Sequence, residues 1–160
     1  MEHVSIDDVE PRHPSGDIDR RGLSEPLGTS DLALNYYALK PGESFSGGMH
    51  AHLDQEELFY VLEGEATFEH APEATAEPTE TTVSAGEVIR FPPGEFQTGR
   101  NDGDGAVRAL ALGAPRETEE GRVPQPCTEC DDSDVLAFRM AEDGPFLECP
   151  ECGATTPLET

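Results

Sequence analysis

The chain has 160 residues, of which 34 are acidic and 10 are basic, and its formal net charge is −24 at pH 7. A surface with that charge repels phosphate groups, which argues against nucleic acids and anionic membranes as partners. The sequence has no run of about 20 apolar residues, which argues against a membrane-spanning helix.

Residues 1–29 are polar and rich in turn-forming residues, and we interpret them as an N-terminal arm that lies on the core. From Asp31 onward, short apolar runs alternate with turn signals. Many short strands with no helical pattern between them predict an antiparallel sandwich or a small barrel. The predicted strands are 32–40, 58–64, 65–70, 81–85, 87–91 and 106–112.

The segment "GGMHAHLDQEELFYVLEG" (47–64) carries the first chemical signal. Residues two apart in a strand point to the same side, so His50 and His52 should project in parallel. A partner strand that starts at Glu57 would return its carboxylate toward them. Two imidazoles and one carboxylate are a suitable ligand set for Fe(II), Mn, Ni or Zn.

These residues resemble the first motif of the cupins, which is a glycine-led H-x-H, three or four residues, E, six residues and G. The sequence matches it with His50, His52, Glu57 and Gly64, and the six-residue gap to Gly64 selects Glu57 over Glu56. The second cupin motif is G, five residues, P-x-G, two residues, H, three residues and N. Residues 86–101 match it at every position except one, because Gln97 stands where the histidine is expected.

The resemblance implies an all-β fold, a cupin double-stranded β-helix or jelly-roll barrel, with a divalent metal at its centre. It assigns the metal to His50, His52 and Glu57, with Gln97 as a weak fourth ligand because its carbonyl is neutral. The cupin domain is predicted at residues 30–113. Cupins commonly pair through their sheets, so the resemblance also implies a homodimer.

Residues 114–126 are charged and rich in proline, and we interpret them as a linker. The tail, residues 127–160, contains two C-x2-C pairs that are eighteen residues apart, formed by Cys127, Cys130, Cys149 and Cys152. This spacing predicts a small zinc ribbon with one structural Zn, which supplies the stability that so short a segment lacks. The acidic tail repels nucleic acid, so we expect it to dock on the cupin domain or on a protein.

The composition also predicts where the protein works. Lys40 is the only lysine, and an acidic, lysine-poor surface resembles the proteins of halophilic archaea. In about 1 M salt the Debye length is roughly 3 Å, so repulsion between carboxylates is screened. The N-terminus lacks the basic and apolar regions of a signal peptide, so we expect a cytoplasmic location.

Other side chains receive plainer interpretations. Four phenylalanines are predicted to be core residues: Phe59, Phe68, Phe91 and Phe96. Arg90 and Arg100 could bind a substrate carboxylate, but surface ion pairs are the better expectation among so many acids. Three histidines without partners at ligand spacing are expected to be exposed: His3, His13 and His70.

The leading functional hypothesis is therefore a cytoplasmic, metal-binding cupin that binds or converts a small oxygen-rich molecule. Whether the protein is an enzyme stays open. One alternative is a non-haem iron dioxygenase similar to 3-hydroxyanthranilate dioxygenase, although Gln97 does not supply the later histidine of those enzymes. A second alternative is a non-catalytic module that senses a ligand or binds a protein.

Overall fold

The computed structural model describes residues 1–12, 18–142 and 144–158 of the chain. Within these residues the structure is almost entirely β, which confirms the predicted fold class. The helical elements are a 3-10 turn (Ile6–Asp8) and one short helix, α1 (Ser24–Leu27). The strands are β1 (Asp19–Gly22), β2 (Ala33–Leu39), β3 (Ala51–His52), β4 (Glu56–Glu63), β5 (Glu65–Ala71), β6 (Thr79–Ser84), β7 (Val88–Phe91), β8 (Phe96–Arg100), β9 (Val107–Ala114), β10 (Gly121–Val123), β11 (Leu136–Ala141), β12 (Gly144–Glu148) and β13 (Thr155–Pro157).

The strands form three antiparallel sheets. The first has the order β1-β2-β9-β4-β7, and the second has the order β6-β5-β8. Inner side chains of these two sheets meet in one core, as expected of a jelly-roll barrel. The third sheet has the order β13-β12-β11-β10-β3, so its strand β3 comes from the segment that carries the histidine pair.

Alternation along each strand explains how the barrel fills its interior. In β9, residues Val107, Ala109, Ala111 and Gly113 are buried, while the residues between them are more exposed. Three of the predicted core phenylalanines lie in the barrel core, with Phe59, Phe68 and Phe91 each at most 3% exposed. Burial of each ring contributes about 1.5–3 kcal/mol to stability. Phe96 is also buried, at 4% exposed, so the core prediction is confirmed for all four.

Two residues of the cupin-like motifs have structural roles. Gly64 turns the chain between β4 and β5 with φ of 78°, and a Cβ there would lie 2.4 Å from the backbone oxygen of Ala106. Only glycine fits such a position without strain. Asn101 is fully buried, and its side-chain amide donates hydrogen bonds to the carbonyls of Leu39 and Gly105. These contacts fix loops at one end of the barrel.

The segments that flank the barrel contribute strands of their own. Strand β1 lies in the predicted N-terminal arm and pairs with β2 at the edge of the first sheet. Strand β10 lies in the predicted linker and pairs with both β3 and β11. The domain boundaries at 29/30, 113/114 and 126/127 stay a prediction. None of the helices in the described residues is long and apolar enough to span a membrane.

Candidate metal centre and cavity

The barrel contains a cavity of about 270 Å³ that opens beside the histidine pair. Part of its wall is formed by small residues of the first sheet, among them Ala33, Ala111 and Gly113. These positions neighbour Glu57, since Gly113 pairs with Ala33 on one side and with Glu57 on the other. The absence of a side chain at Gly113 lets Gln55 pack there, since a Cβ at Gly113 would lie 2.8 Å from Gln55 Cδ.

The structure brings the three predicted ligands together at the cavity wall. His52 lies in β3, Glu57 lies in β4, and His50 forms an isolated bridge with Gln97 of β8. One ligand atom from each of His50, His52 and Glu57 lies within 4.8 Å of the other two. The distance from His52 Nε2 to Glu57 Oε2 is 4.0 Å. The three side chains could therefore hold a metal ion.

Gln97 lies in contact with this group. It is 3% exposed, and its Nε2 donates a hydrogen bond of 2.8 Å to Glu57 Oε2. The same nitrogen lies 3.3 Å from His50 Nε2. The amide thus sits where the resemblance predicts a fourth ligand, and rotation of the amide plane would turn its oxygen to the same place.

Hydrogen bonds on the far side of each imidazole orient the two rings. His50 Nδ1 donates to the carbonyl of Gly48 at 2.9 Å, which leaves His50 Nε2 free of a proton. His52 Nδ1 lies 3.3 Å from Thr118 Oγ1, and Thr118 in turn donates to Asp54 Oδ1 at 2.6 Å. Partners of this kind fix the tautomer of a metal-binding histidine. Sequence reasoning missed Thr118, because the segment that carries it resembled a linker.

Burial shifts the acidity of the ligands in opposite directions. Desolvation raises the pKa of Glu57 from 4.5 to about 7, although Arg20 and Gln97 lower it. Desolvation lowers the pKa of His52 from 6.5 to about 4, and the neighbouring His50 lowers it further. The pKa of His50 is also lowered by burial. The imidazoles are therefore neutral near pH 7, in the form that binds metals.

The four cysteines of the tail form a second cluster of ligands. Their sulfur atoms all lie within 4.8 Å of one another, and two of the Sγ–Sγ distances, Cys127–Cys152 and Cys130–Cys149, are 3.7 Å. Four sulfurs bound tetrahedrally at about 2.3 Å from Zn lie about 3.8 Å apart. The cluster is consistent with the predicted zinc ribbon. Gly153 turns the second knuckle with φ of 74°.

Several other predicted residues lie away from the cavity. Arg90 pairs with Glu56 at 2.6 Å, and Arg100 pairs with carboxylates that include Asp102 at 2.8 Å, so both form the expected surface ion pairs. His3 is exposed as predicted, and His13 lies outside the described residues. The prediction for His70 is wrong. This side chain is partly buried, and its two ring nitrogens bond to Glu95 at 2.9 Å and Thr81 at 3.0 Å.

Two arginines that sequence reasoning did not select line the cavity instead. Arg20 comes from β1, and Arg116 comes from the chain after β9. Arg20 lies opposite Tyr37 in the β1–β2 pair, with its guanidinium carbon 5.9 Å from the centre of the Tyr37 ring. The apolar alternation that signals most strands is absent from "DRRG" in β1, so no local pattern indicated that Arg20 lies in the barrel.

Comparison with known proteins identifies the family. Residues 35–113 match the family described as Cupin domain, whereas no curated protein matches the sequence. A solved structure of a sugar phosphate isomerase from a cupin superfamily, from Silicibacter pomeroyi, is 18% identical, with a TM-score of 0.70 and 96% of each chain covered. A predicted oxalate decarboxylase from Thermotoga maritima is 23% identical, with a TM-score of 0.59 over 71% of this chain and 98% of that one.

A third structure, from Acidithiobacillus ferrooxidans, is provisionally assigned as a sugar phosphate isomerase. It is 21% identical and has a TM-score of 0.55, and the match covers 66% of this chain and 62% of that one. At these identities the likenesses show the fold alone. Together with the family match and the two sequence motifs, they show that residues 35–113 form a cupin domain.

Proposed function

We propose that the barrel binds one divalent metal ion through His50, His52 and Glu57, and that the bound metal binds or converts a small oxygen-rich molecule. The observation that carries this proposal is the convergence of the three ligand atoms, within 4.8 Å of one another, at the wall of the cavity. The cavity, about 270 Å³, gives a small molecule access to the same place.

The donor set fits a divalent transition metal. Two neutral imidazoles and one carboxylate suit Fe(II), and the same set also suits Mn, Ni or Zn. The contacts of His50 with Gly48 and of His52 with Thr118 direct both Nε2 atoms toward Glu57. A metal held there supplies Lewis-acid chemistry or, if it is iron, oxygen activation. The chain's own residues orient the ligands and shape the space beside them.

Similar structures support an oxygen-rich ligand. Two of them carry the names sugar phosphate isomerase and oxalate decarboxylase, and both sugar phosphates and oxalate are small molecules rich in oxygen. In this chain the cavity wall offers hydrogen-bonding side chains for such a molecule, among them Asn35, Ser46, Gln55 and Thr118.

Two alternatives make different predictions for the same protein. A dioxygenase similar to 3-hydroxyanthranilate dioxygenase would contain iron and consume oxygen when an aminophenol is added. Gln97 at the fourth ligand position argues against a dioxygenase of this type, because its side chain offers no imidazole. A non-catalytic sensor or interaction module that lacks a barrel metal would contain only the tail zinc.

We also propose that the four cysteines hold one structural zinc and that the tail docks on the cupin domain. Strand β10 connects β3 to the tail strand β11. Val135 packs against a cluster of Ala51, Ala71 and Phe96 from the barrel. These contacts would keep the zinc-bound tail against the segment that carries His52.

Elemental analysis of protein purified in high salt tests both metal sites. We expect two metal ions per chain in the wild type and one, the tail zinc, in His50→Ala. His3→Ala is the matched control, because His3 is exposed and far from both ligand clusters in sequence. If His50→Ala kept the second metal in full, the barrel site proposed here would be wrong.

A second variant tests the place of Gln97. Gln97→His offers an imidazole where the amide lies 2.8 Å from Glu57 and 3.3 Å from His50. We expect it to tighten barrel metal binding by at least about tenfold, because an imidazole is a stronger ligand than an amide oxygen. Unchanged affinity would mean that position 97 does not face the metal.

A further inference from the structure

Arg20 has an unusual environment for an arginine in this chain. Its side chain lines the cavity, and its Nε atom is buried without a hydrogen-bond partner among the described residues. Seven other arginines each have a carboxylate oxygen within 4.0 Å: Arg21, Arg90, Arg100, Arg108, Arg116, Arg122 and Arg139. Within the described part of the chain, no carboxylate approaches Arg20 to that distance.

A buried N–H group of a guanidinium that has no acceptor costs free energy, since a desolvated donor needs a hydrogen bond to compensate it. With 34 acidic residues in the chain, a carboxylate would be easy to supply at this position. The contact of Arg20 with the Tyr37 ring offsets part of the cost but leaves Nε unbonded. Within the residues that the structure describes, Arg20 therefore presents an unpaired donor in the cavity wall that a bound ligand could accept a hydrogen bond from.

The charge of the cavity wall is opposite to that of the whole protein. The chain has a net charge of −24, yet the cavity is lined by two arginines, Arg20 and Arg116, and by one carboxylate, Glu57. A divalent metal bound to Glu57 would make this wall still more positive. With the metal in place, a cavity of that sign attracts an anion in preference to a further cation or a neutral molecule.

We propose that the cavity binds a small oxyanion, a molecule with a carboxylate or phosphate group, and that Arg20 is the residue that recognises it. This inference rests on the cavity and the ligand of the proposed function, and it adds the charge and the recognising side chain. The planar guanidinium presents parallel N–H donors that match two oxygens of either group. The volume, about 270 Å³, limits the ligand to a small molecule.

Isothermal titration of the protein as purified tests the proposal. The probes are malonate, inorganic phosphate and the neutral analogue malonamide, all at one fixed ionic strength. We expect wild type to bind at least one of the two anions and not malonamide, and the two anion titrations distinguish a carboxylate ligand from a phosphate ligand. Arg20→Gln should weaken anion binding roughly 10- to 100-fold, because it loses charge-assisted hydrogen bonds.

Three variants make the result specific to Arg20. Arg108→Gln is the matched control, since Arg108 pairs with Glu63 on the exposed face and should bind the anion like wild type. Arg20→Lys keeps the charge but loses the planar fork, so its affinity should lie between those of wild type and Arg20→Gln. Thermal unfolding of each variant checks that it is folded, and the metal content of Arg20→Gln should equal that of wild type.

The outcomes separate this inference from the metal proposal. Equal anion affinity in Arg20→Gln and wild type, or no anion binding to wild type, would overturn it even if the barrel metal is present. His50→Ala tests whether Arg20 binds the anion without the barrel metal, because this variant should lack the metal and retains Arg20. Anion binding to His50→Ala that is again weakened by Arg20→Gln would support the inference even if wild type contained no barrel metal.

Discussion

Glu57 should couple metal binding to the release of a proton. Desolvation raises its pKa from 4.5 to about 7, so at neutral pH the metal-free protein holds this carboxyl partly protonated. A metal binds the carboxylate form, so the proton must leave when the ion enters. Burial lowers the pKa of His52 to about 4 and also lowers the pKa of His50, so both imidazoles hold fewer protons near neutral pH than free histidines, and Glu57 is the main source of the released proton.

These acidities give the size of the effect. With the pKa of Glu57 at about 7, lowering the pH from about 8 to about 6 should weaken apparent metal affinity about tenfold. With the pKa at 4.5, the affinity would hardly change over that range. The assay is calorimetric titration with Mn²⁺ in buffers of different ionisation enthalpy, which also counts protons. Glu57 should release about 0.9 proton per ion at about pH 6, and about 0.1 at about pH 8.

Metal titration is the right assay because the unfolding free energy hides the effect. A raised carboxyl pKa gives the metal-free fold stability that is complete below 4.5 and is lost as the pH rises through about 7. A lowered histidine pKa does the reverse, since stability is lost as the pH falls from 6.5 through about 4. The two contributions oppose each other in the unfolding free energy, whereas metal titration detects the proton that Glu57 releases to solvent.

Gln97→Leu provides an internal check on this reasoning. It removes the hydrogen bond that lowers the pKa of Glu57, so the fall in affinity should begin at a higher pH. Affinity that stays constant between about pH 8 and about pH 6 in the wild type would refute the argument, because it would mean that Glu57 is ionised before the metal arrives.

Three further predictions concern the tail, the surface and the assembly. Cys149→Ser should remove the tail zinc and also weaken barrel metal binding, because β10 pairs with the strand that carries His52. Atomic absorption measures the zinc content, and Mn²⁺ titration measures the barrel affinity. An unchanged barrel affinity would show that the two sites are independent. Dilution from about 2 M to about 0.1 M KCl should lower the melting temperature, because the Debye length grows to about 10 Å and exposes repulsion between carboxylates. The homodimer stays a prediction. Tyr60, Leu62 and Val88 form an exposed apolar patch that could pair two chains, so Leu62→Arg should convert the dimer to a monomer when the mass is measured by light scattering. A wild-type monomer would contradict the prediction.

Most of the barrel could be predicted from the sequence because most of its strands have a recognisable local residue pattern. Runs such as 58–64 and 106–112 are short, rich in apolar residues and flanked by turn signals, and the structure places β4 and β9 over them. Strands β1, β8 and β10 were missed. Each is short, and each depends on pairing with a distant partner, such as β2 for β1, so nothing in its own residues indicates a strand.

The site was predictable to the extent that its ligands lie near one another in sequence. His50, His52 and Glu57 fall within eight residues, and strand alternation alone directs the two histidines to one side. Arg20 and Thr118 come from segments 30 or more residues before and 60 or more after this group. Only the closure of the barrel brings them together, so no local pattern could identify them.

The surface and the cavity of this protein meet opposite electrostatic requirements. A chain with a net charge of −24 attracts divalent cations to its neighbourhood and repels anions from it. The proposed metal site can therefore use neutral imidazoles and one carboxylate that is partly protonated at neutral pH in the absence of metal. An anionic ligand has no such help and needs local positive charge to enter. The placement of Arg20 and Arg116, two of only ten basic residues, in the wall of one small cavity supplies that charge where the chain as a whole withholds it.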